Sequence, residues 1–476
     1  MHSASLLWSL TASISLFSQF TSTTAETVLG AYIYSRHGDR TSKSTPPTVL
    51  TTLGYSQVFT SGDYYRNRYI SSDSSSSSQI AGIAADIVDL SQIVVSSPLD
   101  NVLQNSATGF LQGLYPPVSS VKQTLRNNTV IDAPMNGYQL IPVDQIETGS
   151  NSEDSAWLQS TSSCPNAEVS SNNYFNSPEY EALLDSTADF YKSLTPMLEP
   201  TFEPSEISYK NAYTIFDYLN VASIQNVSAD LDALTPEVSH QLLTLANAHE
   251  FGLAYNSSDT VGAITGAVLA GEVVTALKEV ISSKGEMKLN IQFGAYATFQ
   301  SFFGLSQLTS ANPDFYGIPD YASTMAWELI TDSTSDDFPS ESEISVRFLF
   351  KNGTASADSA PTAFPLFGQS ETVIPWTDFV SKMDDFAISS QEKWCEACGN
   401  TTGSCASGDV STSSPAGGIG SGSSGSGGIS TVIAGVIGAL VTLGVVLGLE
   451  ALVLLVGGFR LAKKQRGASI GEKVDP

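Results

Sequence analysis

Basic side chains are scarce in this chain of 476 residues: 21 Lys and Arg stand against 48 Asp and Glu, giving a formal charge of −27 and a pI of about 4.3. Nucleic acid and anionic lipid surfaces call for a basic face, so nucleic acid is excluded as a partner. Charged residues of both signs make up only 14% of the chain. Histidine and cysteine are also rare, with four of each. His2 falls in an apolar N-terminal stretch, and no group of histidines accompanies Cys395-x-x-Cys398. A zinc or redox reading of that pair therefore lacks its other ligands, and no metal or cofactor is expected.

Hydrophobic residues amount to 41% of the chain, enough for a large core. Residues 1–25 carry the apolar run LLWSLTASISLF followed by small residues, the pattern of a signal peptide. Five Asn-x-Ser/Thr sites, Asn127, Asn226, Asn256, Asn352 and Asn400, agree with export and glycosylation. In an oxidising compartment Cys164, Cys395, Cys398 and Cys405 form two disulfides, with three connectivities open. Residues 406–428 are rich in Gly and Ser and read as a stalk.

Residues 429–459 read as one transmembrane helix, since the apolar run Thr431 to Phe459 exceeds the ~20 residues a bilayer core requires. Arg460, Lys463, Lys464 and Arg466 follow it, placing the 460–476 tail in the cytoplasm and the ectodomain outside the cell, a single-pass type I arrangement at the cell surface. That basic tail argues against a GPI signal. Gly444-x-x-x-Gly448 offers a helix-packing face, and Glu450 is a costly residue at such depth.

The chemistry concentrates in Ser35-Arg36-His37-Gly38-Asp39-Arg40, which follows a strand-like run, Thr27 to Tyr34. A loop at the carboxyl edge of a sheet is a ligand-binding position. Two guanidinium forks can hold phosphate oxygens while a neutral imidazole attacks phosphorus. The next segment, Leu50 to Tyr69, reads LTTLGYSQVFTSGDYYRNRY. Together the two stretches resemble the histidine acid phosphatases, the phytase-like branch of the histidine phosphatase superfamily. Ser42 stands where that family usually has Pro.

The resemblance runs from about residue 27 to about 405, and the ectodomain is set at 26–405. It implies an α/β fold, a three-layer sheet with helices on both faces (phosphoglycerate-mutase-like), with a mainly helical cap inserted at about 120–260. It also implies phosphomonoester hydrolysis through a phosphohistidine on His37, with Arg36 and Arg40 on the phosphate. Two family positions depart from the pattern. The third phosphate-binding Arg, shortly before Ser106-Ala107, is replaced by Asn101 or Val102. Counting back from Gly304 places Gln292 and Phe293 at the His-Asp pair that binds phosphate and protonates the leaving group. Gln292 can still hydrogen-bond phosphate, whereas Phe293 cannot give a proton.

Replacement donors are Asp39 in the loop and His249 or Glu250 on a helix. His240, nine residues before His249, faces the other way. Two readings follow: a surface-anchored acid phosphatase, or a pseudo-phosphatase that keeps the fold and a phosphate-binding loop. The expected partners are a phosphomonoester or other phosphate ligand and, through one helix, a membrane.

Overall fold

The computed structural model describes residues 26–71, 78–146, 164–226, 230–335, 337–402 and 405–406. The signal peptide, stalk, transmembrane span and tail read from the sequence lie outside the described residues.

In chain order the first half holds β1 (Thr27–Arg36), α1 (Thr52–Tyr65), β2 (Ile93–Pro98), α2 (Asn101–Leu114), β3 (Lys122–Thr124), β4 (Val130–Asp132), the one-turn α3 (Pro134–Gly137) and β5 (Asp144–Ile146). A helical stretch follows: α4 (Pro165–Asn172), α5 (Pro178–Ser186), α6 (Ala188–Ser193), α7 (Thr195–Leu198), α8 (Ala212–Gln225), α9 (Pro236–Ala254) and α10 (Ile264–Ser282). The chain closes with β6 (Leu289–Gly294), α11 (Tyr296–Leu305), α12 (Leu308–Ala311), β7 (Thr324–Thr331), β8 (Ile344–Lys351), β9 (Thr362–Ala363), β10 (Val373–Pro375), α13 (Trp376–Asp384) and α14 (Gln391–Cys398).

Among the described residues these strands form an eight-stranded sheet in the order β10-β8-β7-β1-β6-β2-β5, with β9 beside β8. Strands β1, β6, β2 and β5 run parallel, while β7 and β8 are antiparallel additions. A register shift between Val28 and Gly30 resets the alternation of β1. Beyond it Ala31 and Ile33 face a core shared with Val58 and Tyr65 of α1 and Leu103 and Phe110 of α2. Tyr32 and Tyr34 face a second core with Val273 of α10, Phe302 of α11 and Phe379 of α13. Both faces of the sheet are thus covered by helices, as a parallel sheet requires.

The one described helical stretch with the length and hydropathy of a bilayer span, Thr260–Ser282, is mostly buried in that second core. Helices α5 to α9 gather around an apolar cluster of their own, including Tyr191, Tyr209, Leu219 and Leu242. The region from about 120 is less helical than its sequence suggests, because β3 and β4 make an exposed antiparallel hairpin there.

Cys164 bonds to Cys398, tying the start of α4 to the end of α14, and Cys395 bonds to Cys405. Of the three open connectivities this is the one formed. Glu328 of β7 is fully buried, yet it accepts hydrogen bonds from Arg68 Nε (2.7 Å), the Tyr69 hydroxyl (2.7 Å) and Arg347 Nη2 (2.6 Å). Donors from three residues on one carboxylate offset its desolvation and pin the end of the first helical segment to the sheet.

Candidate functional site

The loop after β1 is fixed by backbone bonds before any side chain is considered. Arg36 N donates to Ser323 O (2.9 Å), and His37 O accepts from Ala322 N (2.8 Å). Thr51 N donates to Asp39 O (3.0 Å), and Thr51 then caps α1 by accepting from Gly54 N (3.0 Å). A Cβ on Gly38 would lie 2.2 Å from Gly54 O, and one on Gly54 would lie 2.0 Å from Asp39 O. The two glycines therefore let α1 close directly onto the loop. From α2, Ser106 Oγ accepts from Gly38 N (3.3 Å), a contact that holds this helix to the His37 loop.

His37 is completely buried, with Nδ1 2.8 Å from Gly38 O and its ring 5.5 Å from that of Tyr321. Arg36 is 4% exposed. One terminal nitrogen bonds Pro319 O, and the guanidinium lies 4.6 Å from the Tyr321 ring centre and 5.2 Å from that of Tyr296. Arg40 is also fully buried, and its Nη1 sits 2.9 Å from Asp217 Oδ1 on α8. The same nitrogen donates to Thr41 O (3.1 Å), and Nη2 donates to the Tyr213 hydroxyl (3.2 Å). Asp217 also accepts from Ser42 Oγ (3.0 Å) and Lys43 N (3.0 Å) through Oδ2. Ser42, at the usual proline position of the family, thus helps hold this carboxylate.

The remaining candidates are placed as follows. The Asp39 carboxylate accepts from Thr51 Oγ1 (2.5 Å) and Gln225 Nε2 (2.7 Å). Burial raises its pKa against the lowering effect of those two bonds and of Arg40. Gln292 is not at the phosphate position: its side chain bonds the Tyr32 hydroxyl and donates to Glu272 Oε2 on α10 (2.7 Å). Phe293 is buried against Phe110 in the core on the other face.

The register taken from Gly304 is therefore three residues off. The strand runs on to Gly294, and the residues that follow it beside the loop are Ala295, the N-cap of α11, and Tyr296, its first residue. Neither is the His-Asp pair. Asn101 is exposed and Val102 is buried and apolar, so no cation enters from that side.

His249 is buried among Tyr174, Phe175, Tyr180 and Tyr209, with Nδ1 2.7 Å from Glu250 Oε1. Glu250 Oε2 accepts from the Tyr296 hydroxyl (2.6 Å). Glu250 thus reaches the site through one tyrosine, and His249 lies one residue further out. His240 is exposed.

Sequence reasoning missed Tyr213, Asp217, Tyr296 and Tyr321. Asp217 had a readable signal, since it is the lone carboxylate in the apolar stretch AYTIFDYLNVASI. A charge buried at such a position needs a partner. Tyr321 had none, because it comes from the turn before β7.

The arrangement is cationic in composition and balanced only in part, with Lys43 Nζ also lying over the Tyr213 and Tyr296 rings. Burial pushes the Tyr321 hydroxyl up to about 12, against the pull of Arg40, and holds Tyr213 and Tyr296 well above the usual tyrosine range, so all three stay neutral. Arg40 is neutralised by Asp217, and Arg36 is covered by two rings. Breaking a buried pair leaves an uncompensated charge, at a cost of about 3–5 kcal/mol. Charge-assisted hydrogen bonds return about 1.5–3 kcal/mol each. A phosphate would have to displace Asp217 to use both forks of Arg40, so most of the binding energy would be spent on that exchange.

The family model for the histidine phosphatase superfamily, branch 2, matches residues 46–351, beginning just after the His37 loop. Among solved structures, the phytase from Citrobacter braakii is 13% identical, with 78% of this chain and 99% of that chain covered and a TM-score of 0.51. The apo form of Hafnia alvei phytase is 11% identical, covers 79% and 99%, and also scores 0.51. Its complex with myo-inositol hexakis sulphate gives 12%, 79% and 98%, at 0.51. At these identities the likeness is one of fold. Comparison with curated protein sequences finds no match. Because the family model spans more than half of the chain, over a sheet that carries the Arg-His-Gly-Asp-Arg loop at its carboxyl edge, the chain belongs to the histidine phosphatase superfamily, branch 2.

Proposed function

We propose that this chain is an exported, membrane-tethered pseudo-phosphatase: an ectodomain that keeps the phosphatase fold and loop but does not turn over phosphomonoesters efficiently. The observation that carries the reading is the buried Arg40–Asp217 pair, which commits the second arginine of the loop to a carboxylate of the same chain. The neighbours of that pair agree with it. Ala295 and Tyr296 stand where a phosphate ligand and a general acid are needed, and loss of general-acid help alone removes about 10²–10⁴ in rate. Glu250 is engaged by His249 and Tyr296, and Asp39 is held by Thr51 and Gln225 through Oδ2. A substrate as highly charged as phytate would need a strongly positive pocket, and the pairing of Arg40 with Asp217 weakens this one.

Two disulfides support an oxidising compartment. The apolar run from Thr431 to Phe459 with its basic flank supports a single span with the ectodomain outside.

One observation favours the active reading, a phosphomonoesterase acting through His37. Arg36 Nε is buried and has no hydrogen-bond partner among the described residues, so one donor of the loop is left for an anion. Hydrolysis of para-nitrophenyl phosphate by the full-length chain, from acidic to neutral pH, separates the two. The proposal expects the wild type to match His37→Ala; turnover that disappears in His37→Ala supports the enzyme instead.

A further inference from the structure

A cleft of about 1050 Å³ opens at the same edge of the sheet, on the Pro319 side of the His37 loop. It is as large as the upper range of pockets that bury a small ligand, roughly 1,000 Å³. Pro319 lines it, and its carbonyl oxygen is the one Arg36 bonds, so this wall of the cleft backs directly onto the site. Asn256, just after α9, and Asn352, just after β8, both line the cleft, and each begins an Asn-x-Ser/Thr sequence.

Both side chains are exposed, and in both the amide oxygen is the engaged end. Asn256 Oδ1 accepts from Ser258 N (3.0 Å) and Ser258 Oγ (2.7 Å). Asn352 Oδ1 accepts from Asp320 N (2.7 Å) and Ser323 Oγ (3.2 Å). Each amide is therefore held by its oxygen, and Nδ2 is the end available for substitution. Between the two asparagines the cleft offers aromatic faces, Phe251 and the half-exposed Tyr316 with ring centres 4.7 Å apart, and the amides of Asn247 and Asn312. Flat rings with amides around them suit a carbohydrate, which presents C–H faces and hydroxyls together.

We infer that the occupant of this cleft is the protein's own carbohydrate: N-linked glycans on Asn256 and Asn352 lie over Phe251 and Tyr316 and close the Pro319 side of the site. The inference rests on the export part of the reading above. In the attachment step Asn Nδ2 forms a bond to the anomeric carbon of a lipid-pyrophosphate-linked oligosaccharide. The bond from that carbon to the pyrophosphate oxygen breaks, the lipid pyrophosphate leaves, and one Nδ2 proton passes to base. Asn127 in the β3–β4 turn and Asn400 after α14 lie outside the cleft lining and report on export alone.

The test uses the full-length chain made in a eukaryotic secretory host. Glycan occupancy is read by mass spectrometry after enzymatic deglycosylation in heavy-oxygen water. Hydroxyl-radical footprinting then compares Tyr316 in wild type and in Ser258→Ala/Thr354→Ala, which removes both acceptor sequences and leaves the Asp320 and Ser323 bonds to Asn352 in place. Tyr55, on the exposed side of α1, serves as the reference. The expected result is occupancy at Asn256 and Asn352 and a several-fold rise in Tyr316 oxidation in the variant, with Tyr55 unchanged. Glycans on Asn127, Asn226 or Asn400 with either cleft asparagine bare overturn the inference and leave export standing. Occupancy of both with equal Tyr316 oxidation also overturns it. A chain bare at every site overturns export and the inference together.

Discussion

At the scale of single residues, Asp217 decides what a phosphate would meet in the His37 loop. It holds Arg40 at 2.9 Å with both partners buried, and it binds Ser42 and the backbone of Lys43 as well. Asp217→Asn keeps the shape and removes the charge, leaving Arg40 buried without its counter-ion. We expect about 3 kcal/mol of lost stability by urea unfolding. Inorganic phosphate or sulfate should restore part of it in the variant and have no effect on wild type, because an anion can then take the vacated partner's place. Equal stabilisation of both proteins by phosphate would contradict the account.

A second residue, partly buried Glu272, gives a pH signature. Its carboxyl is pushed up by burial to about 7 from an ordinary 4.5, against the lowering effect of its bond from Gln292. The folded state therefore keeps a proton that the unfolded chain releases above 4.5. The group's favourable contribution is complete below 4.5 and is lost as pH rises through 7. Glu272→Gln should flatten the fall in urea midpoint across that window; an unchanged slope would show that Glu272 does not hold the proton.

At the scale of elements, α1 is brought onto the loop at a backbone-to-backbone distance that only glycine allows. Gly54→Ala places a Cβ against Asp39 O, and overpacking of this kind costs about 1–3 kcal/mol. The melting temperature should drop accordingly, and a variant as stable as wild type would mean that the loop yields.

This is also the scale at which the sequence was most legible. The strand before the loop follows from its run of β-branched and aromatic residues. Ser106-Ala107 was legible as a landmark of the family pattern, whereas the contact of Ser106 with the loop was not. What failed was register: a short apolar strand merging into an aromatic helix, LNIQFGAYATFQSFFGL, has no punctuation before Gly304 except Gly294. Counting from Gly304 therefore set the strand end three residues early. Gln292 then looked like a site residue, when alternation along β6 turns it to Tyr32 and Glu272. Tyr213, Asp217 and Tyr321 reach the loop from elements distant in sequence, a convergence that local pattern does not carry.

At the scale of the whole molecule, the Cys164–Cys398 bond closes a loop of 234 residues and joins the beginning of the helical region to the last helix. Replacing both cysteines by Ala should cost about 2–4 kcal/mol. Peptide mapping without reduction should recover Cys164 with Cys398 and Cys395 with Cys405; any other pairing would contradict the fold at its C-terminal end. The acidic surface, with a formal charge of −27, opposes the approach of a phosphate ester, and inside the site the Arg40–Asp217 pair weakens the local positive field.

The most direct test of that claim bypasses the leaving-group problem. An activated donor such as phosphoramidate transfers its phosphoryl group to histidine without demanding a strong general acid, so the outcome reports only whether the loop can hold phosphate beside His37. The full-length chain is incubated with phosphoramidate, quenched in alkali to preserve phosphohistidine, and mapped by mass spectrometry. The account predicts an unmodified His37 in wild type, as in His37→Ala. A phosphoryl group on His37 of the wild type would show that Asp217 yields Arg40 to phosphate, and the claim that this pair closes the loop to phosphate would then be wrong.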